Sequence, residues 1–256
     1  PGLDLAGARL AVHPLGGYPG TDPSGGTTCY KVVVNGCVYM IDGMAGIQNV
    51  LYRLGEGIHS VEGLLLSHCH QDHIWQAIER LLNGQPVRLL CVAPVFASFL
   101  AIASAVVGWS QEEVWRRVDW VRLEPGIPLC ENGAEINCFF VPGPVPTTGF
   151  CITVDGQSFT FSGDTLSRSQ MKARSFPDPE IEEVVSNCLH PGLCFVDGGG
   201  QGGDPVHGKP DDWQLDAAGL PVDLVLTHSS ASLATVQSTR PGQARIILPA
   251  APVDVP

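Results

Sequence analysis

The sequence predicts a layered α/β fold, with sheets covered by helices, on three observations. Short apolar runs of strand length recur between segments of helical spacing, the pattern of sheets that bury both faces. The 30 glycines and 21 prolines punctuate the whole chain rather than gather in a linker, and no repeat period is visible. A single domain over 1–256 is therefore expected. Hydrophobic residues make up 44% and charged residues 16%, against roughly 25% charged in an ordinary globular chain, which excludes disorder and a coiled coil.

The elements follow in order. Residues 8–13 alternate as a strand, and 16–26 form a loop of Gly, Pro, Thr and Ser. Strands at 29–34 and 37–42 flank Asn35-Gly36, a strong hairpin signal. Residues 47–54 have helical spacing, and 61–66 is a short apolar run that stops at Ser67. A helix over 72–82 puts Ile74, Ala77, Ile78, Leu81 and Leu82 on one face. After a strand at 88–92, residues 94–107 and 110–118 read as two helices, the second opened by a capping-box pattern at Ser110. This helical stretch, 94–118, is expected as an insertion; its large apolar residues pack the core, or form a homodimer face or a substrate wall. Strands are expected at 134–141, 150–154 and 158–161, with Asp155-Gly156 as a second hairpin turn. Helices at 167–173, 179–187 and 211–218 alternate with strands at 193–196, 222–226 and 245–248.

Charge and cysteine usage bound the function. With 14 basic and 26 acidic residues the net charge is −12, which repels phosphate backbones, so no nucleic-acid partner is expected. Residues 1–12 show no basic start followed by an apolar run, so no secretory leader is expected. The longest apolar run, 95–107, falls short of the ~20 residues a membrane span needs. The nine cysteines are odd in number, lack a CxxC pair and sit mostly in apolar stretches, as reduced buried thiols do. A cytoplasmic protein without a membrane partner is expected.

Chemistry concentrates at 68–73, where His68, Cys69, His70, Asp72 and His73 fall within six residues. A strand end followed by a tight turn and a helix start can aim three imidazoles and a carboxylate into one volume. That donor set suits Zn, Mn or Fe rather than Ca or Mg. The blander reading, three solvated loop histidines, fits poorly, because only eight histidines serve the whole chain.

His68-Cys69-His70-Gln71-Asp72-His73 after an apolar strand resembles the HxHxDH motif of the metallo-β-lactamase superfamily. Three further landmarks stand in that superfamily's order. Tyr39-Met40-Ile41-Asp42-Gly43 resembles its early strand and Asp-Gly turn, and Ser162-Gly163-Asp164-Thr165 its "SGDT" turn. Leu224-Val225-Leu226-Thr227-His228 resembles its last strand with a ligand histidine. The resemblance spans about 8–249 and implies a four-layer αββα sandwich with one or two divalent metals, Zn first and Mn or Fe as alternatives. It implies His68, His70, Asp72, His73, Asp164 and His228 as ligands, with Asp164 bridging and Asp72 also catalytic. Asp42 is expected to orient its neighbours.

One departure stands out. The branch this chain most resembles, phosphodiesterases including the transfer-RNA 3′-processing endonucleases, supplies another ligand histidine before a Pro-Thr-Thr-Gly segment. Here Gly143 occupies that place in Gly143-Pro144-Val145-Pro146-Thr147-Thr148-Gly149. One site then keeps Asp72, His73, Asp164 and His228, and the other only His68, His70 and Asp164. Three protein ligands and an open position still suit catalysis. His207, 21 residues before His228, matches a loop where that branch places a proton-donating histidine, and Asp197 stands ready to orient it. A surface histidine and a turn-capping aspartate are the alternatives.

The expected activity is hydrolysis of a small phosphodiester by metal-activated water, with His207 protonating the leaving oxygen. Three alternatives remain open: a thioester, lactone or lactam hydrolase using the same centre, a metal-binding scaffold weakened by Gly143, and a non-heme iron oxygenase built on the two imidazoles and one carboxylate of His68, His70 and Asp164. No residue pattern identifies a substrate-binding set.

Overall fold

The computed structural model describes residues 9–16, 27–53, 61–200, 206–228 and 245–246. Expectations for the loop at 17–26, and for 201–205, 229–232 and 247–248, lie outside the described residues. The first half of the chain runs β1 (Leu10–Gly16), β2 (Cys29–Val34), β3 (Cys37–Ile41), α1 (Ile47–Arg53), β4 (Val61–Leu65), α2 (Gln71–Leu82), β5 (Val87–Cys91), α3 (Ala93–Val107), α4 (Gln111–Trp115) and β6 (Val118–Arg122). The second half runs β7 (Leu129–Glu131), β8 (Ala134–Val141), β9 (Thr147–Val154), β10 (Gln157–Phe161), α5 (Arg168–Ala173), α6 (Asp178–Cys188), β11 (Gly192–Asp197), α7 (Pro210–Ala217), β12 (Val222–Thr227) and β13 (Arg245–Ile246).

The hairpins form where the turn chemistry requires. Asn35-Gly36 (φ 47° and 86°) joins antiparallel β2 and β3, and Asp155-Gly156 (φ 48° and 76°) joins β9 and β10. Positive φ at both central residues is the signature of the turn whose twist matches paired strands. Asn132-Gly133 (φ 49° and 77°) carries the same signal and joins β7 to β8, a hairpin missing from the expected elements. The stretch at 94–118, expected as an insertion, is the α3–α4 crossover between parallel neighbours β5 and β6. Val118, expected to end a helix, instead opens β6.

Among the described residues the strands form two sheets, in the orders β13-β1-β2-β3-β4-β5-β6 and β12-β11-β10-β9-β8-β7. They pack face to face through Tyr30, whose ring lies 5.2 Å from both Phe161 and Phe195. One apolar cluster joins this interface to Ile74, Ile78 and Leu81 of α2 and Phe96 and Phe99 of α3. A second cluster, with Met171, Ile181, Val185 and Trp213, lies beneath α5, α6 and α7. Helix, sheet, sheet and helix therefore stack as four layers, the αββα sandwich expected. No helix among the described residues is long and apolar enough to cross a membrane. All nine cysteines are free thiols, seven of them buried.

A polar clamp ties the sheets together away from their apolar interface. Arg88 of β5 donates two 2.7 Å hydrogen bonds to the Glu131 carboxylate of β7, and Tyr39 of β3 donates to the same group. Both partners are mostly covered, at 30% and 20% side-chain exposure. Truncating one member leaves the others desolvated, so Glu131→Ala should destabilise the fold by about 1–3 kcal/mol in urea unfolding. Removing the solvent-exposed Glu112 partner of Arg116 should leave stability unchanged within error. Equal effects of the two substitutions would refute the clamp.

Candidate metal centre

Strand ends from both sheets converge on one pole. β3 runs parallel to β4 and is followed by Asp42; β4 is followed by Ser67 and His68. In the other sheet β10, β11 and β12 are parallel, and their ends carry Asp164, Asp197 and His228. Ligands bind at the carboxyl ends of parallel strands because the chain there turns away into loops free to carry chemistry. His70 is the N-cap of α2, so Asp72 falls in the first turn, where the helix dipole favours a carboxylate. Asp42 and His228 both hold left-handed backbone, φ 54° and 57°. Such strain costs roughly 1–3 kcal/mol in a non-glycine residue and gathers at functional sites.

The six expected ligands come together. His73 Nε2 lies 3.5 Å from Asp72 Oδ2 and from Asp164 Oδ1, and 3.3 Å from His228 Nε2. His228 Nε2 lies 3.6 Å from Asp72 Oδ2 and 3.3 Å from Asp164 Oδ1. On the other side of the same carboxylate, Asp164 Oδ2 stands 3.3 Å from His68 Nε2 and 3.9 Å from His70 Nδ1. Asp164 thus turns one oxygen to each set. Cys69 takes no part. Its thiol donates to the Val95 carbonyl, and burial pushes it up to about 12.

The donors fit a cation. Bonds of about 2.0–2.1 Å to nitrogen in a tetrahedral site place neighbouring donors about 3.3 Å apart, close to the spacings seen here. His68 Nε2 and Asp164 Oδ1 are buried polar atoms with no hydrogen-bond partner, a costly arrangement that a cation among these donors would relieve. Burial pushes His68 down, and the charge at His73 adds to that, so its imidazole stays neutral, the form that binds metal. Burial opposes charge at His73 too, but Asp164, Asp42 and Asp72 outweigh it and raise its pKa to about 10. Burial likewise opposes ionisation of Asp164, yet His73, His228 and His68 hold it well below the usual carboxylate range. Excess negative charge around these imidazoles is what a divalent cation would neutralise.

Gly143 reaches this pole, and any side chain placed there would have to displace Thr147. A Cβ at 143 would lie 2.3 Å from Thr147 Oγ1, 2.9 Å from Thr147 Cβ and 3.1 Å from the Asp164 carbonyl. Thr147 fills the volume, with its hydroxyl donating to the Val145 carbonyl at 2.8 Å. The His68 side is also the open one: the His70 side chain is 36% exposed, whereas those of His73 and His228 are buried.

His207 lies against the cluster rather than out in solvent. Its ring stacks on His228 at 4.6 Å, and its Nδ1 is 3.9 Å from Asp164 Oδ2. The same Nδ1 donates to Asp197 Oδ2 at 2.9 Å. Asp197 is itself held by the Thr165 and Gly199 amides. Asp42 accepts from His73 Nδ1 at 2.7 Å, in line with an orienting carboxylate. Two contributors escaped sequence reasoning. Ser67 bonds both Asp42 and His68, and Thr148 donates from Nα and Oγ1 to the Ser67 carbonyl. Ser67 is adjacent to the motif, so position alone was the available signal.

A family model described as the metallo-beta-lactamase superfamily matches residues 23–228. A cGMP-dependent 3′,5′-cGMP phosphodiesterase A from Dictyostelium discoideum is 27% identical over 151 residues, which are 59% of this chain but 17% of that protein. A metal-dependent hydrolase from Listeria innocua is 24% identical over 155 residues, 57% of this chain and 64% of that one. Human tRNase Z, short form, shares the fold with a TM-score of 0.60 at 16% identity, over 85% of this chain and 92% of its own.

Proposed function

The chain belongs to the metallo-β-lactamase superfamily, and we propose that it is a divalent-metal-dependent phosphodiesterase acting on a small phosphodiester. The observation that carries this reading is the Asp197–His207 pair beside the Asp164 donors. An imidazolium whose Nδ1–H is held by a buried carboxylate presents its Nε2–H to a leaving group. An alkoxide leaving from phosphorus needs that proton, as does the alkoxide of a lactone, whereas a departing thiolate does not. The likeness to a cyclic-nucleotide phosphodiesterase supports the same class.

His73, Asp72, Asp164 and His228 would hold one cation, and His68, His70 and Asp164 a second. Imidazole and carboxylate donors favour Zn, with Mn or Fe as alternatives. Divalent cations held there supply Lewis acidity toward a phosphoryl oxygen and lower the pKa of water toward ~7. Asp72 would accept a proton from the attacking water. Asp42 fixes the His73 ring, and His207 delivers the proton to the departing oxygen.

Net charge −12 favours a small diester over structured RNA, because repulsion of a long phosphate backbone would go largely uncompensated. The test is a substrate panel run separately with Zn, Mn and Fe. Nucleoside and nitrophenyl phosphodiesters should be hydrolysed far faster than transfer-RNA precursors, thioesters or lactones. Activity confined to carbonyl substrates would overturn the phosphodiesterase reading, and inactivity with every metal would favour a scaffold.

A further inference from the structure

We propose that Ser67 is a positioning residue through which one carboxylate, Asp42, orients an imidazole in each half of the centre. This role rests on the cation-binding reading of His68 and His73. Asp42 Oδ1 accepts from the Ser67 amide at 2.8 Å; Oδ2 accepts from Ser67 Oγ at 2.7 Å and from His73 Nδ1 at 2.7 Å. Ser67 Oγ also lies 2.9 Å from His68 Nδ1. All four side chains are buried, so bulk water can replace none of these partners.

Proton counting fixes the direction of the chain. A serine hydroxyl has one hydrogen and two lone pairs. Ser67 spends its hydrogen on Asp42, so toward His68 it can only accept. His68 must therefore carry its proton on Nδ1, which leaves Nε2 bare. That Nε2 is the buried atom without a hydrogen-bond partner, 3.3 Å from Asp164 Oδ2. His73 is oriented directly, with Nδ1 on Asp42 and Nε2, the nitrogen a cation would take, turned toward Asp72, Asp164 and His228. One carboxylate thus presents a metal-facing nitrogen on both sides, by direct contact to His73 and through a hydroxyl to His68. Partners of this kind fix ring tautomer and raise ligand basicity.

Ser67→Ala removes the Ser67 Oγ acceptor of His68 Nδ1–H but leaves the Asp42–His73 bond in place. The loss should therefore be one-sided. Zinc titration against a competing chelator should show the looser cation weakened by about 10–100-fold, the usual scale for a lost outer partner, with the tighter one unchanged. Unaltered binding of both cations, or equal weakening of both, would overturn the role. A second readout needs no substitution: nitrogen NMR of histidine-labelled, metal-free protein should find the His68 proton on Nδ1. A proton on Nε2 would defeat the proposal even if Ser67→Ala failed to fold. A parent protein that binds no zinc would refute the ligand reading instead, and the NMR result would still decide what Ser67 does.

Discussion

His73→Ala is expected to strip more metal from the protein than His68→Ala, with residual zinc affinities at least about tenfold apart. The reason is the division of donors around Asp164. His73 shares its space with Asp72, Asp164 Oδ1 and His228, and both carboxylates lie 3.3–3.6 Å from each of the two imidazoles. His68 shares its space with His70 and Asp164 Oδ2, on the more exposed side, and the only other imidazole near that oxygen among the described residues, His207, is committed to Asp197. Losing one of four donors undoes the tighter site, while losing one of three undoes a site that is already the weaker. Gly143→His is the obvious repair, yet by itself it should add no affinity, because its Cβ would meet Thr147 Oγ1 at 2.3 Å and Thr147 Cβ at 2.9 Å. Elemental analysis after dialysis, followed by titration, measures both expectations. Two equally tight sites in the parent protein, or a gain from Gly143→His alone, would show that another group completes the His68 side.

Much of this centre was legible because its densest part is local. His68, His70, Asp72 and His73 lie on one strand-to-helix passage, so their spacing alone predicts convergence. Asp164 and His228 were legible only through the order of landmarks, since a Gly-Asp-Thr turn and a histidine after a strand mean little singly. Ser67 could not be read this way: its importance comes from Asp42, 25 residues earlier, and only the parallel pairing of β3 with β4 brings the two together. The fold shows the same division. Hairpins with Asn-Gly or Asp-Gly turns follow from backbone chemistry, and β7 was missed although Asn132-Gly133 carries that signal, because three residues are too few to show alternation. Strand β6, VDWVR, starts within two residues of the α4–β6 junction at Arg116. Periodicity alone does not separate so short an apolar run from the end of a helix. Its pairing with β5 supplies the hydrogen bonds that decide it.

His207→Ala should leave metal content unchanged while cutting turnover of unactivated phosphodiesters by about 10²–10⁴, the usual scale for a lost general acid. The geometry separates the two effects. His207 Nδ1 is committed to Asp197 at 2.9 Å and stands 3.9 Å from Asp164 Oδ2, while the proposed ligands contact one another without it. The size of the loss should depend on the leaving group. Nitrophenolate departs without a proton, so the variant should approach the parent on nitrophenyl diesters and fall furthest behind on nucleoside diesters. Asp197→Asn should reproduce part of that pattern, since a neutral amide no longer stabilises the imidazolium, and its metal content should likewise stay constant. Asp197 also accepts from the Thr165 amide near the Asp164 turn, so the Asn variant, which keeps a carbonyl acceptor, separates proton donation from turn geometry better than Ala. Equal losses on good and poor leaving groups would count against proton donation. A fall in bound zinc on losing His207 would instead make it a ligand, filling from the β11 side the gap that Gly143 leaves.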